Sequence, residues 1–96
     1  MNVVQTVGYL HRLPEKAVNH TVQNYADFEL EVTSNFRQSD GSFLNTILPM
    51  RIWKGGCLEI LDHAKINDIM SVKGRLEFIN GEMMIIAEHI EYLHPK

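Results

Sequence analysis

Between residues 27 and 32 the chain alternates strictly, with Asp27, Glu29 and Glu31 on one parity and Phe28, Leu30 and Val32 on the other. Successive side chains of an extended strand point to opposite faces, so this pattern dictates a strand with one dry face and one wet face. It extends the reading of a strand over residues 25–36. A second constraint is Asn80-Gly81. A type I′ hairpin turn needs positive φ at both central residues, and Asn-Gly accepts that at low cost. It joins a strand over 69–78 to another over 83–93. The solvated row Asp27, Glu29 and Glu31 is expected on the outside of whatever these strands enclose.

The remaining segments fit the same architecture. Val3, Val7 and Leu10 mark a first strand over about residues 2–12, and Gly8 inside it indicates a bulge or bend. Residues 13–24 carry Pro14 and little apolar periodicity, which predicts a loop. Ser39-Asp40-Gly41-Ser42 is a turn. Residues 43–53 form a third strand, in which Pro49 cannot donate to a ladder and is expected at a bulge or a local edge. Gly55-Gly56 is expected to break that strand. Leu58, Leu61 and Ala64 recur at helical spacing and predict a short helix over about 57–65 whose apolar face plugs the core. The order is β-β-β-α-β-β, which is that of the OB-fold, an all-β, five-stranded Greek-key barrel with a helix between strands three and four.

At 96 residues the chain fits one domain, residues 1–96. A core of this size is modest, so self-association is expected to help it. No apolar run reaches the roughly 18 residues of a membrane span. The first residues show no basic-then-apolar signal peptide. Cys57 is the only cysteine, so no internal disulfide forms. Together these features predict a cytoplasmic protein. The five histidines make no metal-ligand spacing with Cys57, and neither a nucleophile–base set nor a phosphate loop is present, so neither metal, cofactor nor enzymatic activity is expected.

Several segments, taken in order, resemble the bacterial single-stranded-DNA-binding protein family. Asn2-Val3-Val4-Gln5-Thr6-Val7-Gly8-Tyr9-Leu10 followed by Pro14-Glu15 is similar to that family's first strand. Ala26-Asp27-Phe28-Glu29-Leu30 is similar to its second. Trp53-Lys54 resembles the aromatic–basic pair ending its third. Gly74-Arg75-Leu76 lies at the family's distance beyond that pair. Ile85-Ile86-Ala87-Glu88 through Tyr92-Leu93, with Pro95-Lys96, resembles its closing strand. The resemblance implies base-stacking aromatics at Phe36 and Trp53, with Lys54 beside the path of the DNA backbone, and a homodimer or homotetramer. The sequence also departs from the family. Ile47 stands where many members have Trp, a tight turn replaces a long basic hairpin, Glu77 stands where Lys or Arg is common, and the acidic tail that recruits other proteins is not expected.

Binding single strands without reading their sequence requires rings for bases and positive charge for phosphates. Phe36 and Trp53 are candidates for the first, and Arg12, Arg37, Arg51, Lys54, Lys73 and Arg75 for the second, with Arg37, Arg51 and Lys54 assigned to the site beside the two rings. Tyr9, Tyr25, Phe43 and Phe78 are further candidate rings that core packing explains equally well. The net charge of −3 runs against a nucleic-acid binder, and residues 76–95 hold four glutamates and no Lys or Arg, so a DNA track is expected to avoid them. Two readings follow. The first is a protein coating single-stranded DNA in replication, recombination or repair. The second is a primosomal-accessory-like OB-fold module gripping a replication or repair protein. An RNA ligand fits the stacking chemistry equally.

Overall fold

The structure, a computed structural model, describes residues 1–14 and 25–93; the side chains of Asn35 and Phe36 lie outside that description. Among these residues the elements follow as β1 (Val4–Arg12), β2 (Tyr25–Arg37), β3 (Phe43–Trp53), α1 (Lys54–His63), β4 (Ile69–Ile79) and β5 (Glu82–Tyr92). The expected loop falls, from residue 15 onward, outside the described residues. The strands close into a barrel in the order β1-β2-β3-β5-β4. Strand β1 is shared, pairing β4 through Val4–Tyr9 and β2 through Tyr9–Arg12. The seam is a short parallel contact of Met50 and Arg51 with Ile85 and Ile86, whereas the other pairings are antiparallel. With α1 between β3 and β4, this is the OB-fold.

Alternation places Phe28 and Leu30 inside, where they meet Leu10, Met50, Met70, Val72 and Ile60, all fully buried. Each such side chain contributes about 1.5–3 kcal/mol relative to exposure. The Asn80-Gly81 turn has the expected left-handed pair, with φ of 53° and 81°. Pro49 pairs with Glu29 of β2 and precedes Met50, where the β5 pairing begins, so it lies on a stretch of β3 with a described ladder on one side, a local edge. Asp40 closes the β2–β3 turn. Its carboxylate accepts from the Ser42 hydroxyl at 2.6 Å and the Ser42 amide at 2.9 Å, and these bonds hold its pKa below the ordinary value.

The structure corrects three expectations. The helix begins at Lys54, so Gly55 and Gly56 form its first turn instead of separating it from the strand. Gly56 has a steric reason: a Cβ there would run into the Ile52 side chain, so any larger residue would require Ile52 to shift. The earlier start also rotates the plugging face. Cys57 and Ile60 are buried and Leu61 and Ala64 pack against the core, while Leu58 is exposed. Spacing of i, i+3, i+4 and i+7 is what a helix needs to present one stripe. Finally, the irregularity in β1 lies between Leu10 and Arg12, not at Gly8. Gly8 instead permits close approach, because a Cβ there would overlap the Glu31 carbonyl of β2.

Candidate nucleic-acid interface

The outer face of the β2–β3 hairpin is built from odd-numbered residues of both strands. Tyr25 lies across from Trp53, Asp27 from Arg51, Glu29 from Pro49, Glu31 from Ile47 and Arg37 from Phe43. Of the five residues singled out from the sequence, Arg51, Trp53 and Lys54 gather at one end. Arg37 lies at the other end, about 33 Å away along β3 at the usual rise of a strand. The backbone of Phe36 belongs to β2, and its ring is outside the described side chains.

Trp53 is 66% exposed and sits where β3 turns into α1. The ring therefore belongs to the surface of the barrel. Lys54, the first residue of the helix, is exposed and forms no ion pair with a described residue. At the far end the Arg37 guanidinium lies 5.1 Å over the Phe43 ring, and Phe43 is itself 47% exposed. Tyr9 and Phe78 are exposed as well, so core packing accounts for none of these three rings.

Arg51 is held differently. Its Nε donates to one Asp27 oxygen at 2.7 Å and its Nη2 to the other at 3.1 Å. Its guanidinium carbon lies 4.0 Å over the Tyr25 ring. The bond to Asp27 raises the pKa of the guanidinium above its ordinary value. The acidic row is thus on the outer face, as alternation dictates, but it is matched as well as solvated. Asp27 takes Arg51, Glu29 takes Arg12 at 3.6 Å, and Glu31 accepts from the Asn45 amide at 3.2 Å. Cross-strand register brings Tyr25 and Phe43, only weakly marked in the sequence, opposite Trp53 and Arg37.

Trp53 separates two clefts. One, of about 110 Å³, is lined by Tyr25, Arg51, Ile52, Trp53 and Ile86 and is almost wholly apolar in surface. The other, of about 250 Å³, runs toward α1 and β5 past Glu59, Glu88, His89 and Tyr92. On that second side Tyr92 has its pKa pushed up to about 12, first by burial and then by the charge of Glu59. Among the described residues no group of three or more His, Cys, Asp or Glu is placed to hold a metal ion.

No protein-family model and no curated protein matches the sequence. Solved structures do match. The small single-stranded DNA-binding protein of Streptomyces coelicolor superposes with a TM-score of 0.70 at 20% identity, over 96% of this chain and 93% of that one. The N-terminal domain of a dimeric PriB from Thermoanaerobacter tencongensis gives 0.66 at 18% identity, over 99% and 98%. The Plasmodium falciparum SSB, solved with single-stranded DNA, gives 0.72 at 14% identity, over 97% and 95%. At these identities the likeness establishes the fold, along nearly the whole length of each chain.

Proposed function

We propose that this protein binds single-stranded DNA without reading its sequence, stacking bases on rings displayed along the β2–β3 face. The observation that carries this reading is Trp53, two-thirds exposed at the end of β3 and followed by Lys54, whose charge no described carboxylate matches. An exposed indole beside a free ammonium is the pairing that stacking and phosphate contact require. Phe36, Arg37, Arg51, Trp53 and Lys54 are the residues assigned to the site, and Tyr25 and Phe43 join them in this reading because they lie on the same face. The Streptomyces and Plasmodium proteins, named for single-stranded DNA, share the barrel. The service this binding performs is replication, recombination or repair, in the cytoplasm.

The functional unit is a homodimer or homotetramer. Val4–Gly8 of β1 pair with β4 but with no described residue of β2. Val3 and Val7 are exposed there, and an unpaired apolar edge invites a second chain. The dimeric PriB domain has the same fold. Light scattering on the free protein should give a mass well above the 11.1 kDa of one chain; a monomer at micromolar concentration rules this assembly out.

The test of the function is a titration with oligo-dT across a salt series, followed by the fluorescence of Trp53. Quenching on binding, with log affinity falling linearly in log salt by about 0.7 per neutralised phosphate, is expected. An absence of binding at ~20 mM salt, where phosphate contacts are least screened, defeats the reading. It then favours the protein-interaction module, for which the acidic β4–β5 wall is the supporting observation: Glu77, Glu82, Glu88 and Glu91 lie on it with Lys73 and Arg75 as its only Lys or Arg.

A further inference from the structure

An arginine that neutralises phosphate needs a guanidinium free to follow the backbone. Arg51 is not free in this sense. Two of its donors are spent on Asp27, one face lies on Tyr25, and its side chain is only 19% exposed. Three N–H groups remain, but a phosphate that met them would share the guanidinium with the Asp27 carboxylate, which already offsets its charge. What the arrangement offers is a flat, fixed surface. A guanidinium stacks on aromatic planes, and unpaired bases stack on guanidinium planes in turn. Asp27 fixes the rotation of that plane by its bidentate grip, and Tyr25 fixes its height. The apolar cleft opens between this pair and the exposed Trp53, with Ile52 and Ile86 completing its lining.

We propose that Tyr25, Arg51 and Trp53 form a seat for one nucleobase, in which Arg51 acts by its plane while its charge stays with Asp27, the positioning residue. The proposal rests on the single-stranded-DNA reading and gives that site its first occupied position. It also separates the two arginines assigned to the site. Arg37, exposed and matched by no described carboxylate, contributes to salt dependence, and Arg51 does not.

The experiment compares wild type, Arg51→Lys, Arg51→Gln and Tyr25→Leu by anisotropy of labelled oligo-dT over a salt series, with circular dichroism to confirm folding. Lysine keeps the charge and loses the plane. A base seat predicts that Arg51→Lys and Arg51→Gln lose similar affinity, within the roughly 5–150-fold range of one stacking contact, with the salt slope unchanged. Tyr25→Leu should fall in the same range. The proposal is overturned if Arg51→Lys binds like wild type while Arg51→Gln flattens the slope by about 0.7, the signature of one lost phosphate contact. Where a variant fails to fold, photocrosslinking of wild type to iodouracil-substituted oligonucleotide decides the matter. Adducts on both Tyr25 and Trp53 support the seat, and adducts on Trp53 without Tyr25 overturn it. Wild-type protein that binds no oligo-dT overturns the parent reading and this one with it. Wild-type binding with an intact Arg51→Lys variant overturns the seat alone.

Discussion

The β2–β3 and β4–β5 walls are both long antiparallel hairpins that bury one face in the same core. Both also expose large rings, and Phe78 on the β4–β5 wall, at 76%, is more exposed than Trp53 at 66%. Ring exposure alone therefore does not distinguish a binding wall from a bland one. Charge does. On the β2–β3 wall each outward carboxylate of β2 has a partner, and Arg37 and Lys54 remain without a carboxylate among the described residues. On the β4–β5 wall the balance is reversed. Arg75 is shared between Glu77 at 2.9 Å and Glu88 at 2.8 Å, which leaves Lys73 as the other Lys or Arg of the wall, against Glu82 and Glu91. A bulge between Lys73 and Gly74 makes Glu88 the extra residue of β5 and brings it to Arg75. With Arg12 of β1 and Lys54 of α1 beside it, the β2–β3 wall balances Asp27, Glu29, Glu31 and Asp40, whereas the β4–β5 wall sets its four glutamates against Lys73 and Arg75 alone.

The largest test of this contrast pairs the two rings. Trp53→Ala should weaken oligo-dT binding about 5–150-fold, and Phe78→Ala should stay within about twofold of wild type, as a surface change remote from ligand. Because Trp53 is the only tryptophan, the comparison needs labelled DNA and anisotropy. Equal losses from both variants would mean that DNA wraps both walls. Next in size is the salt slope. Arg37→Gln and Lys54→Gln should each make it shallower by about 0.7. Arg75→Gln should leave it unchanged, since that guanidinium is already committed to two carboxylates; a drop of similar size for Arg75→Gln would place phosphate on the acidic wall.

The smallest effect concerns Tyr92, beside the acidic cleft. Its pKa in the folded protein is about 12, above the unfolded value near 10. The folded state thus holds the phenol proton more tightly than the unfolded chain. That contribution to stability is complete below pH ~10 and is lost as pH rises through ~12. Ultraviolet titration should show a tyrosine ionising near pH 12 that Tyr92→Phe removes. Glu59→Gln should lower it only in part, because burial is the larger cause. A late phenol that survives Tyr92→Phe would refute the assignment.

Much of the architecture was legible because its signals are local. Alternation at 27–32 decided which residues of β2 enter the core, since a period of two leaves no choice of face once one row is apolar. Asn80-Gly81 fixed the last hairpin through positive φ. The exposure of Trp53 was expected only through the family resemblance, since no local pattern separates it from a core ring. What the sequence did not contain is who faces whom. A pairing carried straight back from Arg37 and Phe43 would set Arg51 opposite Glu29; the irregularity between Thr33 and Arg37 shifts the ladder by two and delivers Arg51 to Asp27. A shift of two preserves every face, so no hydrophobic pattern records it, yet it decides which carboxylate is matched and which plane is built. The helix start was hidden for a similar reason. Gly55-Gly56 is a breaker by propensity, and only the tertiary packing of Gly56 against the Ile52 side chain shows why a small residue suits the first turn of the helix. Local patterning set the strands and their faces because burial acts on each residue in turn. Tertiary structure alone set register, ion pairs and the helix seat, because those depend on the distance between segments that the chain holds far apart.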